Sequence, residues 1–179
     1  ALFMRAYLHF KLLKYYGGKA NGVAMGIPII TEVLGADDEQ NIVRPTYLET
    51  AQQIYADCDE AYNYLPEGYS GTDQVDGERH EGGATKGAAK TLKAITALFA
   101  ASPAYNLDEA LKTENWENAV DFAMEAILEI DGIINLNAIK RNFSAPGGED
   151  VVWRGRFFSD YNLEGKNFPP SYYGQGRTN

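Results

Sequence analysis

The chain has 179 residues, of which 45% are apolar and 12% aromatic, so it is long and apolar enough to form one domain with a real core. Its net charge of −9, without a basic cluster, argues against nucleic acid as the partner, because phosphate binding needs grouped lysine and arginine residues. No apolar run of about 18 residues occurs, so no transmembrane helix is predicted.

The first predicted helix covers residues 1–16 and ends at Gly17, since glycine readily takes the left-handed conformation that closes helices. One face is apolar at spacings of three and four residues: Phe3, Tyr7, Phe10 and Leu13. His9, at the edge of this face, is interpreted as a packing or surface histidine and not as a ligand. Tyr15 and Tyr16 are predicted to anchor the helix end, with exposed rings as the alternative.

The second predicted helix covers residues 46–65 and begins with a capping box, because Thr46 and Glu49 follow the order T-x-x-E. In this motif each side chain accepts a hydrogen bond from the backbone N–H of the other residue. Pro66 ends the helix. Its apolar face contains Ala51, Ile54, Tyr55, Cys58, Ala61, Tyr62 and Leu65. On such a face the thiol of Cys58 is predicted to be buried and unreactive.

The last two predicted helices cover residues 85–102 and 114–130. The earlier of them is rich in glycine and alanine, which allow a neighbouring helix to approach closely. Its predicted core face consists of Ala88, Leu92, Ile95 and Phe99. The predicted core face of the other consists of Trp116, Ala119, Val120, Ala123, Ile127 and Ile130.

The predicted fold class is all-α, with tetratricopeptide-like α-α superhelical helix pairs and long irregular loops. Each helix is apolar on one side, so antiparallel pairing is the natural way to bury these faces. The order W-x-x-A-V-x-x-A from Trp116 resembles the start of a tetratricopeptide unit, although the fixed repeat of about 34 residues is absent. In the first long connection, residues 23–28 are predicted to pack on the helices as an extended segment. Residues 68–83, rich in glycine and polar side chains, are predicted to be exposed.

Two regions are predicted: a tetratricopeptide-like helical region over residues 1–134, and an irregular, aromatic-rich segment over residues 135–179. The boundary falls where helical periodicity fades. Because no closing element follows and the first helix starts at once, we interpret the chain as an internal piece of a longer protein.

Four stretches in order resemble the SusD/RagB family. They are RAYLHFKLLKYYGG (5–18) followed by GIPIITE (26–32), the helix that follows Arg44 and ends in A-Y-N-Y-L-P, ATKGAAKTLKA (84–94) followed by AASPAYN (100–106), and the helix with W-x-x-A spacing in 115–132. The third stretch is the most specific of the four. One departure concerns Pro28, which comes later after Gly18 than is usual in the family.

The resemblance implies a non-catalytic lipoprotein on the extracellular face of the outer membrane of Bacteroidetes. Such proteins bind oligosaccharide or polysaccharide and pair with a SusC-like TonB-dependent transporter barrel that imports the glycan. The resemblance implies no cofactor, and membrane attachment only through a lipid anchor that this chain does not contain. It also implies that the tetratricopeptide-like half supports the fold and contacts the barrel.

Aromatic and polar side chains alternate between residues 153 and 173, which suits a glycan platform. Flat rings cover the C–H faces of sugars, while amide, carboxylate and guanidinium groups bind their hydroxyls. The predicted platform consists of Trp153, Arg154, Arg156, Tyr161, Asn162, Tyr172 and Tyr173. The alternative is that these side chains pack the segment onto the rest of the protein.

Other function classes find little support in the sequence. It contains no G-x-S-x-G, H-E-x-x-H or phosphate-loop motif, and no carboxylate pair stands out for glycoside hydrolysis, so an enzyme is not predicted. His80 beside Glu78 and Glu81 matches no ligand spacing, so no metal is predicted. The alternative function is a tetratricopeptide-like protein–protein adaptor without glycan binding. Irregular repeats and long loops favour the glycan-binding hypothesis.

Overall fold

The computed structural model describes residues 1–35, 42–80 and 82–130, which form a row of four helices with a small hairpin. The elements are α1 (Leu2–Tyr16), β1 (Gly18–Ala20), β2 (Val23–Met25), α2 (Tyr47–Tyr62), α3 (Lys86–Ala101) and α4 (Lys112–Glu129). A short 3-10 turn at Glu78–His80 precedes α3. The predicted all-α class is confirmed, since the strands in these ranges are only three residues long.

The helices form an antiparallel row in which each packs against the next, and α1 also contacts α3. Arg5, near the start of α1, bonds Asp57 near the end of α2, and Lys90, early in α3, bonds Glu125 late in α4. The predicted antiparallel helix pairs are therefore confirmed. The same arrangement gathers the ends of α1 and α3 and the starts of α2 and α4 at one end of the row, here called the hairpin end.

The first turn of α2 is closed by the predicted capping box. The Glu49 backbone N–H donates to Thr46 Oγ1 at 3.2 Å, and the Thr46 backbone N–H donates to Glu49 Oε2 at 2.7 Å. The Thr46 hydroxyl also donates to Glu49 Oε2, and together these hydrogen bonds lower the pKa of the Glu49 carboxyl. The carboxylate satisfies a backbone donor that the helix leaves without an intrahelical partner.

Replacing Thr46 with alanine is expected to lower the free energy of unfolding by about 1 kcal/mol, because the Glu49 N–H loses its acceptor. Urea denaturation followed by circular dichroism measures the change. Thr46→Ser retains the hydroxyl and should lose much less. Thr72→Ala, at an exposed position outside the helices, is the matched control. Equal midpoints for the Thr46 and Thr72 alanine variants would rule out a stabilising role for the box.

The core lies between α1, α2 and α3 and beneath the hairpin. It combines large side chains with alanines, which let the helices approach closely as predicted: Phe3, Phe10, Leu13, Ile27, Tyr47, Ile54, Leu92, Ala51, Ala61, Ala88 and Ala89. Cys58 is buried as predicted, and burial raises the pKa of its thiol to about 12, so the thiol stays protonated at neutral pH. His9 is also buried, and desolvation lowers the pKa of its imidazole.

A polar network joins α2, α3 and α4. The ammonium of Lys93, which is 7% exposed, donates to both carboxylate oxygens of Asp59 at 2.8 and 2.7 Å and lies 4.0 Å from the centroid of the Phe122 ring. The Tyr62 hydroxyl donates to the Glu129 carboxylate at 2.8 Å. Because each charge has a partner across a helix boundary, this network has a structural role.

Two predicted core faces need correction. Ile95 of α3 is exposed, and so are four residues of the predicted face of the last helix: Trp116, Val120, Ile127 and Ile130. The buried residues of α4 are Ala119 and Ala126, which lie on the side that meets α3. The reason is geometric: α4 is the last helix in the described row, so it has a neighbour on one side only, and its apolar stripe is wider than that contact.

A hairpin that was not predicted follows α1. β1 and β2 pair antiparallel with Ala20 opposite Val23, and Asn21 and Gly22 form the two-residue turn. Their φ angles of 51° and 82° are those of a type I′ turn, which Asn-Gly favours. The flanking strands are too short to show the alternation of apolar and polar residues by which a strand is recognised in sequence. The Asn-Gly pair was therefore the one sequence signal for this hairpin.

Residues 26–31, here called the strap, run from the hairpin along the contact between α1 and α2. Gly26 N–H donates to Pro45 O at 2.8 Å, and Ile27 N–H donates to Thr50 Oγ1 at 3.3 Å. Further along, Arg5 Nη1 donates to the carbonyl of Thr31 at 2.8 Å. The prediction that residues 23–28 pack on the helices is confirmed, and the packed segment extends beyond them.

Candidate functional site

The hairpin end of the row carries a groove and two exposed tyrosines, which together are the candidate site within the described residues. α1 ends at Tyr16, where Gly17 N–H bonds Leu13 O at 2.8 Å, and the chain turns directly into β1. The Arg44 guanidinium joins this end together, donating to Gly26 O and to Tyr16 O at 2.9 Å each. Arg44 therefore holds the end of α1 and the start of the segment after the hairpin against the residues that lead into α2.

Tyr15 and Tyr16 are exposed, by 69% and 68%, so the prediction that they anchor the end of α1 is wrong. Gly17 ends the helix in extended backbone, with a φ of −64°, and not in the predicted left-handed conformation. The ring of Tyr47 packs against it, since a Cβ at Gly17 would lie 2.8 Å from Tyr47 Cε2. Tyr15 and Tyr16 lie off the buried face of α1, which includes Phe10 and Leu13. Two adjacent exposed rings are a surface feature able to meet an apolar or sugar face.

A groove of about 310 Å³ lies between the hairpin, the start of α2 and the connection from α3 to α4. Its walls contain both apolar and uncharged polar side chains, with one carboxylate. The larger side chains that line the groove include Val23, Leu48, Tyr105, Leu107, Asp108 and Asn115. No sequence pattern marked this groove, because three separate segments of the chain build it.

The ring of Tyr105 lines the groove and is stacked on the ring of Tyr47, with centroids 3.9 Å apart and planes 8° from parallel. Tyr47 is almost fully buried in the first turn of α2, and desolvation raises the pKa of its hydroxyl. A ring backed in this way has little freedom to move. The groove therefore has a rigid aromatic wall.

The connection between α3 and α4 is fixed by the buried side chain of Asn106. Its amide nitrogen donates to Lys112 O at 3.1 Å and to Ala101 O at 3.4 Å, and its oxygen accepts from Asn115 Nδ2 at 2.9 Å. Asp108 accepts from Ala110 N–H at 2.9 Å and is exposed. These contacts position the carboxylate of Asp108 and the amide of Asn115 at the groove.

Residues 1–79 match a SusD-like family described as starch-binding and associating with the outer membrane. Over these residues the chain is similar to SusD-like proteins. A similar solved structure is a SusD-like protein from Bacteroides fragilis NCTC 9343, with 26% sequence identity and a TM-score of 0.54. The superposition covers 76% of this chain but only 21% of that protein's length. No curated protein matches the sequence.

The stretches that resemble SusD/RagB occupy definite places in the fold. RAYLHFKLLKYYGG forms α1 and leads into β1, and its first arginine is the partner of Asp57. ATKGAAKTLKA forms the start of α3, where Thr85 Oγ1 accepts from Ala88 N–H at 3.2 Å. AASPAYN forms the end of α3 and supplies Tyr105 and Asn106 to the groove. These stretches thus form most of α1, the start and the end of α3, and the connection that follows α3.

The predicted glycan platform, from Trp153 to Tyr173, lies outside the described residues. It stays a prediction, and so does the boundary between residues 134 and 135. Within the described ranges, no group of three or more histidine, cysteine or acidic residues is placed to hold a metal ion. No helix in those ranges is both long and apolar enough to cross a membrane.

Proposed function

We propose that this SusD-like chain binds oligosaccharide or polysaccharide at the extracellular face of the outer membrane and delivers it to a SusC-like TonB-dependent transporter. The observation that carries the proposal is the match of residues 1–79 to a family described as starch-binding and associating with the outer membrane. The similar SusD-like protein from Bacteroides fragilis supports the same conclusion. The chain takes part in nutrient glycan uptake and catalyses no reaction.

The glycan meets the side chains between Trp153 and Tyr173 in this proposal. The sequence there combines aromatic rings with Arg154, Arg156 and Asn162, the composition that sugar faces and hydroxyl groups require. The helical row serves as the rigid support and the side that meets the transporter. A lipid anchor in the complete protein holds the assembly at the membrane.

Affinity electrophoresis of the chain through gels cast with plant, microbial or host polysaccharides tests the proposal. Retardation in one class of polysaccharide supports it, and the same glycan incubated with the chain should release no new reducing ends. Release of reducing ends would instead indicate a glycoside hydrolase. No retardation in any gel would contradict glycan binding by this chain and favour the alternative of a protein–protein adaptor.

Replacing Trp153 with alanine is expected to weaken binding of the retarding glycan about tenfold, because an aromatic platform is lost. Dissociation constants follow from retardation at several polysaccharide concentrations. Trp116→Ala is the matched control, since Trp116 is an exposed tryptophan of α4. Thermal unfolding should be unchanged for Trp153→Ala. Equal affinities for the two variants would place Trp153 among the packing residues.

A further inference from the structure

The groove at the hairpin end has the dimensions of a small ligand site. Its volume of about 310 Å³ lies at the lower limit of ligand pockets, which typically measure about 300–1,000 Å³. That space accommodates a single ring and not an extended oligomer. The groove is built by elements already held in place by the Tyr47–Tyr105 stack and by Asn106, so it is formed before a ligand enters.

The chemistry of the lining favours a neutral, hydroxylated ring. Tyr105 offers an aromatic wall that is supported from behind by Tyr47, while Leu48 and Val23 add apolar surface. Asp108 and Asn115 supply a carboxylate and an amide, which accept from and donate to hydroxyl groups. A pyranose has both kinds of surface, C–H faces for the ring and hydroxyls for the polar groups.

Two other ligand classes fit less well. An anion is disfavoured because none of the described residues that line the groove is basic, and because the Glu49 carboxylate already places a negative charge at the start of α2, where it accepts from Thr46 N–H. A purely apolar side chain of a partner would cover Asp108 and Asn115 without offering them hydrogen bonds, which costs free energy.

We infer that this groove binds one pyranose ring of the transported glycan, as a contact separate from the predicted platform at residues 153–173. The inference rests on the proposed function, since it takes the glycan as the ligand. It adds a second point of attachment on the helical row. A glycan that meets both surfaces is bound more tightly than by either alone, because the second contact forms within the complex.

The test is a substitution that fills the groove. Val23 lines the groove and is about half exposed, so Val23→Trp places a bulky ring in the space without disturbing the core. Affinity for the retarding glycan is expected to fall about tenfold. Val75→Trp is the matched control. Val75 lies in the connection from α2 to α3, which is held at the start of α3 by the hydrogen bond from Lys86 N–H to Pro66 O. The groove lies at the other end of this 16-residue helix.

A second variant leaves the shape of the groove unchanged. Asp108→Asn keeps the hydrogen bond from Ala110 N–H but removes the charge, and affinity is expected to fall about fivefold. Wild-type affinity in both Val23→Trp and Asp108→Asn, with binding by the unmodified chain intact, overturns the groove and leaves the proposed function standing. Absence of binding by the unmodified chain overturns both. Reduced affinity in both groove variants with normal binding by Val75→Trp supports the groove.

Discussion

Replacing Arg5 with methionine should lower the free energy of unfolding by about 3 kcal/mol, because the substitution leaves a buried carboxylate without its counter-ion. Arg5 Nε and Nη2 bond the two oxygens of Asp57 at 2.8 and 2.6 Å. The side chain of Asp57 is 2% exposed and that of Arg5 is 29% exposed. The buried carboxylate of Asp57 therefore needs its partner more than the partly exposed guanidinium of Arg5 does. Gln53 Nε2 donates one further hydrogen bond to Asp57 Oδ1, at 2.9 Å.

Chemical denaturation at neutral pH measures this loss, and a double substitution identifies its cause. Arg5→Met combined with Asp57→Leu removes both charges, so part of the lost stability should return. Lys86→Met is the surface control, because its partner Glu67 lies 3.7 Å away and is 86% exposed, and it should change stability by less than about 1 kcal/mol. A double variant as unstable as the sum of the single variants would show that the charges do not act as a pair.

Replacing Gly26 with alanine should destabilise the protein by about 2 kcal/mol, because the added methyl group has no room. A Cβ at this position would meet Thr50 Oγ1 and lie 2.6 Å from the carbonyl oxygen of Thr46. The strap has little freedom to move away, since Gly26 N–H bonds Pro45 O on one side and Ile27 N–H bonds Thr50 on the other. To make room for the methyl group, the strap and the first turn of α2 would have to separate, which weakens these hydrogen bonds.

Gly18→Ala is the matched control for this prediction. Gly18 is a glycine in β1 at which a Cβ would find no heavy atom within 4 Å. Thermal unfolding of the two variants compares the same chemical change in a crowded and in an open place. Equal midpoints would contradict the close approach of the strap to α2.

Local sequence signals predicted the helices well. The T-x-x-E pattern at Thr46 gave both the start of α2 and its hydrogen bonds, and the small residues of α3 indicated close packing. The burial of Cys58 followed from its place on an apolar face. These features depend on residues within a few positions of one another, so one sequence suffices to recognise them.

Features that depend on distant segments were not predicted. Arg5 and Asp57 are 52 residues apart, and nothing near either residue indicates the other. The packing of the Tyr47 ring beside Gly17 joins α2 to the end of α1, and nothing near either residue in the sequence indicates it. The groove combines Val23 and Tyr105 with the start of α2, so it exists only once the row has formed. The platform at residues 153–173, by contrast, is a prediction from composition, which indicates chemistry without geometry.

The strap also determines how the row can come apart. It is bonded to α1 through Arg5 and to α2 through Thr50, and the Arg5 guanidinium contacts α2 as well through Asp57. If α1 separates from α2, the strap must leave at least one of its partners. Separation of the two helices therefore breaks the Arg5–Asp57 ion pair together with at least one contact of the strap. α1, the strap and α2 thus form one cooperative folding unit, although a loop connects the two helices.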